Sequence, residues 1–358
     1  MKSTTETREL TYAQALREAT AICLQRDPRA FIIGLGVPDP KGIFGTTTDL
    51  VKEFGSERVM DAPLSENALT GLVIGAALGG MRPILTHQRV DFALLSLEQI
   101  VNQAAKWFYM FDGRGGTVPI VIRMVIGRGW GQGPQHAQSL ASWFAHVPGL
   151  KVVMPSTPAD AKGMLIASVE DDNPVIFLEH RWLHNMRGPV PAGYYREPLE
   201  KCRVARKGTD VTVVASSHAF IEAMRVADFA AAHAGIEMEV VDVRCLNPLD
   251  FPTIAESVRK TKRLLVAEDD SRHCGFAGEV VARVCESGLE LVAPPVRVVH
   301  PDCPSPSSPT LAAAYYPSAR DLYAAVAKLV GRGASLAGQF PGRPCPVDVP
   351  DLAFPGPF

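Results

Sequence analysis

Along the first half of the chain, segments with apolar residues at helical spacing alternate with short runs of consecutive apolar residues. Helical spacing of apolar residues predicts helices that begin at Tyr12 and that span residues 66–78, 97–110 and 158–169. Thr11 can cap the first of these helices, with Gln14 completing a capping box, and the last is a capped helix with proline in its first turn. Apolar runs between these helices predict buried strands at residues 31–33, 83–86, 118–125, 151–154 and 175–178. This alternation favours a parallel sheet that is covered by helices on both faces.

The second half of the chain repeats the same alternation after a stretch that is rich in glycine and proline. Strands are predicted at residues 211–215, 239–243, 264–267 and 296–299, and helices at 219–234, 251–261 and 277–285. At 358 residues, two domains are favoured over one. The sequence therefore predicts an α/β protein with two doubly wound domains, residues 1–185 and 206–330, joined by a linker at 186–205 and followed by a Pro/Gly-rich tail at 331–358.

Composition excludes several classes of function. The net charge of -2 argues against general attraction to nucleic acid or to an anionic membrane surface. No apolar run approaches the roughly 18 residues of a spanning helix, and the polar start of the chain lacks an apolar signal core. The seven cysteines are scattered without a CxxC pair, so we expect no zinc site and a reducing, cytoplasmic location.

The first candidate for chemistry is Glu66, within the segment from Asp61 to Gly71. Glu66 follows a serine and begins a run of apolar helical positions. Burial among apolar neighbours disfavours a charged carboxyl, which suits a group that shares a proton with a ring nitrogen. The alternative is an ordinary glutamate in the first turn of a helix, stabilised by the helix dipole.

The second candidate is the segment from Gly127 to Ser139, which begins with four glycines in seven residues. Glycine allows the main chain to approach a ligand closely, and His136 follows the glycines directly. A histidine there could transfer protons near neutral pH. The alternative is a structural turn with a hydrogen-bonded histidine.

Taken together, these segments resemble the β subunit of the thiamine-diphosphate-dependent 2-oxo acid dehydrogenase E1 component, a relative of transketolase. The likeness extends in the same order over most of the chain. The matching pieces lie at residues 62–66, 80–83, 91–92, 99–106, 133–139, 148–158 and 173–179.

The resemblance implies a pyrimidine-binding N-terminal domain and a transketolase-like C-terminal domain. It places Glu66 at the aminopyrimidine ring of thiamine diphosphate and His136 near the reacting carbon. Cofactor contacts are further expected for Leu64, Arg89 and Phe92. Substrate contacts are a hypothesis for His87, Arg89, Gln135 and His136. The implied reaction decarboxylates a 2-oxo acid and passes the acyl unit to a lipoyl-bearing E2 or carrier protein.

One part of the family's site is missing from this chain. Relatives bind diphosphate and Mg²⁺ through a Gly-Asp-Gly motif followed by Asn, whereas this chain has Phe111-Asp112-Gly113-Arg114. The resemblance therefore implies an E1 α-like partner that holds most of the Mg²⁺ site, in an α2β2 assembly, and no activity without it. A potassium ion, held in relatives by main-chain carbonyls, is a further expectation.

The chain departs from the family between Arg82 and Phe92. Thr86 stands where relatives have an acid, and Arg89 stands where an aromatic residue stacks on the pyrimidine ring. We therefore consider that Arg89 and His87 bind an anionic group, such as that of a sugar phosphate. The alternatives are that Arg89 stacks on the ring or makes a structural salt bridge.

This departure leaves two other functions open. One is transketolase-like transfer of a two-carbon ketol unit from a ketose phosphate, which uses the same cofactor chemistry. The other is a non-catalytic scaffold subunit, a hypothesis that the loss of the stacking aromatic at Arg89 motivates and that the presence of Glu66 and His136 opposes.

Overall fold

The computed structural model describes residues 6–128, 131–343, 345 and 349–350. The chain divides into two compact units, Met1–Ile126 with Trp143–Leu199 and Gly127–Ser142 with Glu200–Phe358. Two boundaries differ from those expected from the sequence. The segment 127–142 belongs to the second unit, and the first unit ends at Leu199, inside the expected linker 186–205.

The first unit is an α/β structure. Its strands are β1 (Thr7–Thr11), β2 (Ala30–Ile33), β3 (Val59–Met60), β4 (Arg82–His87), β5 (Val121–Ile126), β6 (Lys151–Val153), β7 (Val175–His180) and β8 (Arg187–Pro191). The helices along the same stretch of chain are α1 (Tyr12–Arg26), α2 (Leu50–Phe54), α3 (Glu66–Leu78), α4 (Val90–Ala93), α5 (Trp107–Met110), α6 (Ala141–Ala145) and α7 (Pro158–Glu170). Helix α6 begins at the end of the segment 127–142.

Six strands of the first unit form a parallel sheet in the order β6-β7-β5-β4-β2-β3. The central strands β2, β5 and β7 are buried along their whole length, as expected when helices cover both faces. A separate antiparallel pair joins β1 to β8. The expected linker therefore contains a strand that is paired within the first unit.

Local sequence rules explain where several helices begin. Thr11 and Gln14 form the predicted capping box at the start of α1. Thr157 caps α7, which has proline in its first turn. Helix α3 has the bounds expected from the sequence, residues 66–78. These predictions are confirmed.

The single helix predicted over residues 97–110 is wrong. A π-helix (Gln99–Ala104) and α5 occupy this stretch, which a 3₁₀ turn (Leu94–Ser96) precedes. The amide of Ala105 donates to the carbonyl of Ile100 at 3.0 Å, five residues back, which widens the turn. Gly149 packs against this turn so closely that a Cβ atom on it would lie 1.9 Å from the Ala105 carbonyl oxygen.

The second unit is also α/β. Its strands are β9 (Arg203–Arg206), β10 (Val211–Ala215), β11 (Met238–Asp242), β12 (Cys245–Asn247), β13 (Leu264–Ser271) and β14 (Val296–His300). Its helices are α8 (Ser217–Ala234), α9 (Phe251–Thr261), α10 (Phe276–Glu286), α11 (Pro309–Tyr315) and α12 (Ala319–Val330). Five strands form a sheet in the order β14-β13-β10-β11-β9, in which only β9 runs antiparallel to its neighbour.

The described part of the C-terminal tail contributes to the core of the second unit. A 3₁₀ turn (Ala334–Gln339) leads to Phe340, whose ring is buried and lies 4.9 Å from the ring of Phe229. This part of the predicted surface tail is therefore packed, and residues 351–358 lie outside the described residues. Among the helices that the structure describes, none has the length and apolar character needed to cross a membrane.

A fully buried ion pair ties β5 to β7 in the middle of the first sheet. Arg123 Nε and Nη2 donate to the two carboxylate oxygens of Glu179 at 2.5 and 3.0 Å, and His184 Nε2 lies 3.3 Å from the same carboxylate. Burial alone would raise the pKa of Glu179. The charge of Arg123 and the nearby His184 outweigh burial and hold the pKa of this carboxyl below its usual value.

We predict that Glu179→Gln destabilises the first unit by about 3–5 kcal/mol, because Arg123 is left buried without a counterion. The measure is urea unfolding together with amide hydrogen exchange in β5 and β7. In the parent protein this stabilisation should be present above the pKa of an unfolded glutamate and lost as the pH falls through the lowered pKa of Glu179.

The matched control is Glu279→Gln, which removes an exposed glutamate paired with Arg283 on α10. This change should leave exchange in β5 and β7 unaltered. Equal effects of the two substitutions would contradict the proposed importance of the buried pair.

Candidate active site

A cavity of about 190 Å³ opens in the first unit at the carboxyl ends of β2, β3 and β4. These strands are adjacent and parallel, so their carboxyl ends lie along one edge of the sheet, where open α/β sheets bind ligands. The cavity is lined by Leu35, Ala62, Pro63, Leu64, Glu66, Leu69, Thr86, His87, Gln88 and Phe92.

Two features of the chain bring these strand ends together. A Cβ atom on Gly34 would lie 2.2 Å from the carbonyl oxygen of Thr86, so only glycine lets β2 end this close to β4. Asp61, after β3, accepts hydrogen bonds through Oδ1 from the amides of Gly36 at 2.9 Å and Ala62 at 2.8 Å. The loops after β2 and β3 are thereby held together.

Glu66 is half-buried and is the first residue of α3. Its helix is fixed by buried Leu69, Val73 and Ile74, which pack into the core. Its side chain contributes to the cavity wall beside apolar Leu69. The sequence suggested either a carboxyl among apolar neighbours or an ordinary glutamate in the first turn of a helix. Both descriptions apply, because Glu66 lies in the first turn of α3 and also lines a mainly apolar cavity.

Leu64 and Phe92 complete the apolar part of the wall. Leu64 is 78% exposed. Phe92 is half-buried on α4, and its amide donates to the carbonyl of Arg89 at 3.2 Å. Both residues expected from the resemblance to contact the cofactor therefore line the same cavity as Glu66.

Thr86 and His87 bring two unsatisfied polar atoms to the cavity. Thr86 is 3% exposed and His87 is 5% exposed. Thr86 Oγ1 and His87 Nε2 are buried and have no hydrogen-bond partner among the residues that the structure describes. Burial lowers the pKa of His87 to about 4, so the ring is neutral near pH 7. Buried polar groups are normally paired, and these two atoms are therefore available to a ligand.

The expected pair of cations, Arg89 and His87, does not form here. His87 is neutral for the reason just given, and Arg89 is 4% exposed and is absent from the described residues that line the cavity. Arg89 instead lies near Arg181. Burial and the charge of Arg89 lower the pKa of Arg181 to about 10. The structure thus brings Glu66, Leu64, His87 and Phe92 to one cavity and does not bring Arg89 there.

His136 and Gln135 belong to the second unit. The main-chain amide of His136 donates to the carbonyl of Gly133 at 3.3 Å, and Gly131 and Gly133 adopt positive φ angles of 61° and 71°. His136 is half-buried and Gln135 is exposed. Of the predicted glycine loop, residues 129 and 130 lie outside the described residues.

Sequence reasoning missed a second, more polar cavity in this unit, of about 360 Å³. It is lined by Pro134, Ala137, Gln138, Ser139, Leu140, Asp270, Ser271, His300, Asp302, Cys303, Pro304, Ser305 and Tyr315. The sequence feature that could have indicated this cavity is a run of three acids at the end of an apolar strand, Glu268, Asp269 and Asp270. Burial and the nearby Asp270 raise the pKa of Glu268 to about 8.

The cavity of the first unit fits a flat heteroaromatic ring such as the aminopyrimidine of thiamine diphosphate. It offers apolar walls, one carboxyl group (Glu66), and two buried polar atoms on Thr86 and His87 that lack hydrogen-bond partners in the described part of the chain. Its volume of about 190 Å³ is below the roughly 300–1,000 Å³ of pockets that enclose drug-sized ligands. It therefore suits a ring and not a whole cofactor.

The two α/β units, with a ligand cavity at the strand ends of the first, define a transketolase-type protein. Residues 8–186 match the family "Transketolase, pyrimidine binding domain", and residues 200–322 match "Transketolase, C-terminal domain". A solved structure, "Split gene transketolase, inactive beta4 tetramer", superposes with a TM-score of 0.73 at 24% identity, covering 90% of this chain and 98% of that chain. The predicted fold class is confirmed.

Curated relatives narrow the family. The acetoin:2,6-dichlorophenolindophenol oxidoreductase β subunit of Cupriavidus necator is 40% identical over 91% of this chain and 99% of its own length. The 2-oxoisovalerate dehydrogenase β subunit of Bacillus subtilis is 40% identical over 84% of this chain and 93% of its own length. The pyruvate dehydrogenase E1 β subunit of Rhizobium meliloti is 37% identical over 90% of this chain and 70% of its own length. The chain belongs to the family of β subunits of thiamine-dependent E1-type enzymes.

We predict that His87 remains neutral until the pH approaches about 4, which NMR of ¹³C-labelled histidine measures directly. An unfolded histidine binds its proton near the ordinary value of 6.5, so this site should cost stability as the pH falls from 6.5 towards 4. The variant His87→Gln identifies the signal and should remove this part of the pH dependence. Titration of His87 near 6.5 would contradict the buried, neutral assignment.

Proposed function

We propose that this chain is the β subunit of a thiamine-diphosphate-dependent enzyme that decarboxylates a 2-oxo acid and passes the acyl unit to a lipoyl carrier. The observation that carries the proposal is the half-buried Glu66 at the head of α3, in the wall of a ring-sized cavity. Similarity to β subunits of pyruvate and 2-oxoisovalerate dehydrogenases supports it.

Each residue of the cavity has a proposed task. Bound thiamine diphosphate supplies a carbon nucleophile and stabilises the negative charge that remains when a bond beside a carbonyl breaks. The Glu66 carboxyl holds a proton in common with a ring nitrogen, and Thr86 Oγ1 and His87 Nε2 hydrogen-bond to polar ring atoms. Leu64 and Phe92 contact the ring and exclude water from it.

The second unit supplies the residues that we assign to the substrate. His136 moves a proton at a substrate oxygen, a task for which imidazole is suited near neutral pH. Gln135 hydrogen-bonds to the substrate and is exposed before it binds. Support for both roles comes from the position of these residues in the segment 133–139 that matches the family.

A partner subunit is part of the proposal. Asp112 is 87% exposed and lies 3.5 Å from the equally exposed Arg114, and the Gly-Asp-Gly motif of the family is missing here. We therefore assign the diphosphate and most of the Mg²⁺ site to an E1 α-like chain in an α2β2 assembly. A potassium ion held by main-chain carbonyls stays a prediction.

The absence of cations from the described lining of the cavity bears on the choice of substrate. Among the residues that line it, none is cationic at pH 7, because His87 is neutral and Arg89 is not part of the wall. Ketol transfer from a ketose phosphate thereby loses the two residues that motivated it. Cleavage of acetoin, an uncharged hydroxyketone, becomes the second candidate, which similarity to acetoin oxidoreductase β subunits supports.

We place the enzyme in the reducing cytoplasm. The structure pairs none of the described cysteines in a disulfide. Disulfides are rare in cytoplasmic proteins, so this arrangement supports the proposed compartment.

We predict that Glu66→Gln in the assembled complex with its α-like partner lowers turnover by on the order of 100-fold or more. The amide cannot share a proton with the ring, although it keeps the size of the side chain. The measure is CO₂ release from 2-oxo acids and reduction of 2,6-dichlorophenolindophenol with acetoin, in parallel with a ketose phosphate and a pentose phosphate acceptor.

The matched control is Glu57→Gln, at an exposed glutamate of the first unit. This variant should turn over like the parent complex. Full activity of Glu66→Gln would instead make the scaffold hypothesis the better one. Activity of the parent complex with the ketose phosphate alone would restore the ketol-transfer alternative.

A further inference from the structure

Two consecutive carboxylates, Asp269 and Asp270, lie near the end of β13 in the second unit. Successive side chains of a strand point to opposite faces of the sheet. The two acids accordingly contact different parts of the chain. Their partners are residues at the two ends of the segment 127–142, which carries His136.

Asp269 holds the beginning of this segment. Its Oδ1 lies 3.6 Å from Nη1 of Arg128, whose guanidinium also stacks over the ring of Tyr316 at 4.4 Å. His218 Nδ1 and His300 Nε2 lie 2.9 and 3.6 Å from the same carboxylate. Asp269 therefore joins the start of the segment to α8, β14 and α11–α12.

Asp270 holds the end of the segment. Its Oδ2 accepts hydrogen bonds from Ser142 Oγ at 3.2 Å and from the Ser142 amide at 3.5 Å. Ser142 Oγ in turn accepts from the amide of Phe276 at 3.0 Å, at the first turn of α10. The chain is thus fixed where the segment enters α6.

The middle of the segment is packed between these two points. Cβ atoms on Gly131 and Gly133 would lie 2.6 and 2.4 Å from atoms of Ser307, so these glycines touch that part of the chain directly. Ser305 Oγ donates to the carbonyl of Gly133 at 3.1 Å. His136 follows three residues later, on a chain whose two ends and middle are all held.

We infer that Asp269 and Asp270 are positioning residues that hold the His136 segment in its active arrangement. This inference rests on the proposed function for the role of His136, but the anchoring itself does not. Buried ion pairs are poor sources of net stability, and replacing them with apolar residues is often neutral. The value of the Asp269–Arg128 ion pair and of the Asp270–Ser142 hydrogen bonds is to favour one conformation of residues 131–142, which include glycines and would otherwise have many conformations.

The experiment uses Asp270→Ala, Asp270→Asn and Asp269→Ala in the full-length chain assembled with its partner subunit. Amide hydrogen exchange in residues 131–142 should accelerate about tenfold or more in both alanine variants, as expected when a hydrogen bond to a charged group is lost. Exchange in β10 and β11 should be unchanged. Asp270→Asn keeps an oxygen acceptor for Ser142 and should restore most of the protection.

The control is Asp302→Ala, at an exposed acid that lines the same polar cavity. This variant should exchange and turn over like the parent protein. In the alanine variants at Asp269 and Asp270, kcat should fall on the order of 10–100-fold with KM little changed, because a misplaced His136 affects the reacting state more than binding.

The two readouts separate the two claims. Unchanged exchange in residues 131–142 would overturn the anchoring, whatever the enzyme does. Faster exchange without loss of kcat would overturn the positioning of His136. If the parent complex turned over none of the substrates, the proposed function would fail, and hydrogen exchange would still decide whether the two acids hold the segment.

Discussion

The parallel hydrogen bonding of β2 to both β3 and β4 is the interaction on which the candidate active site depends. Ile33 lies in register with Met60 on one side and with Leu85 on the other. β2 and β3 therefore end at the same level and β4 continues two residues further to His87, so the residues that follow the three strands share one edge of the sheet. The close approach of β2 to β4 at this edge requires glycine at position 34, because any side chain there would collide with the Thr86 carbonyl.

Parallel strands of the second unit also end along one edge of their sheet, but the side chains at that edge differ. β13 lies between β10 and β14, so its end lies at the centre of a parallel edge. The chain places three acids there, and two of them, Asp269 and Asp270, contact residues of the segment 127–142. The edge that we propose for a ring in the first unit is apolar with one acid, whereas this edge is rich in charge and in hydroxyl groups.

Features governed by neighbouring residues in sequence could be predicted, and features governed by distant residues could not. The capping box of Thr11 and Gln14 and the helix that begins at Glu66 follow from local rules. The π-helix at 99–104 does not follow from local spacing, and Ala105 at its end packs against Gly149 from another part of the chain. The membership of segment 127–142 in the second unit likewise depends on contacts that sequence spacing does not reveal.

Burial also decides which charges the cavity contains. His87 and Arg89 are both potential cations in the sequence, and an anion site is the natural inference from them. Folding buries both, which makes His87 neutral and places Arg89 outside the cavity wall. Glu179, by contrast, is locked to Arg123 by two hydrogen bonds and cannot serve a ligand. Glu66 is the one acid among the described residues that line its cavity, so it is the group to which we assign proton sharing with a bound ring.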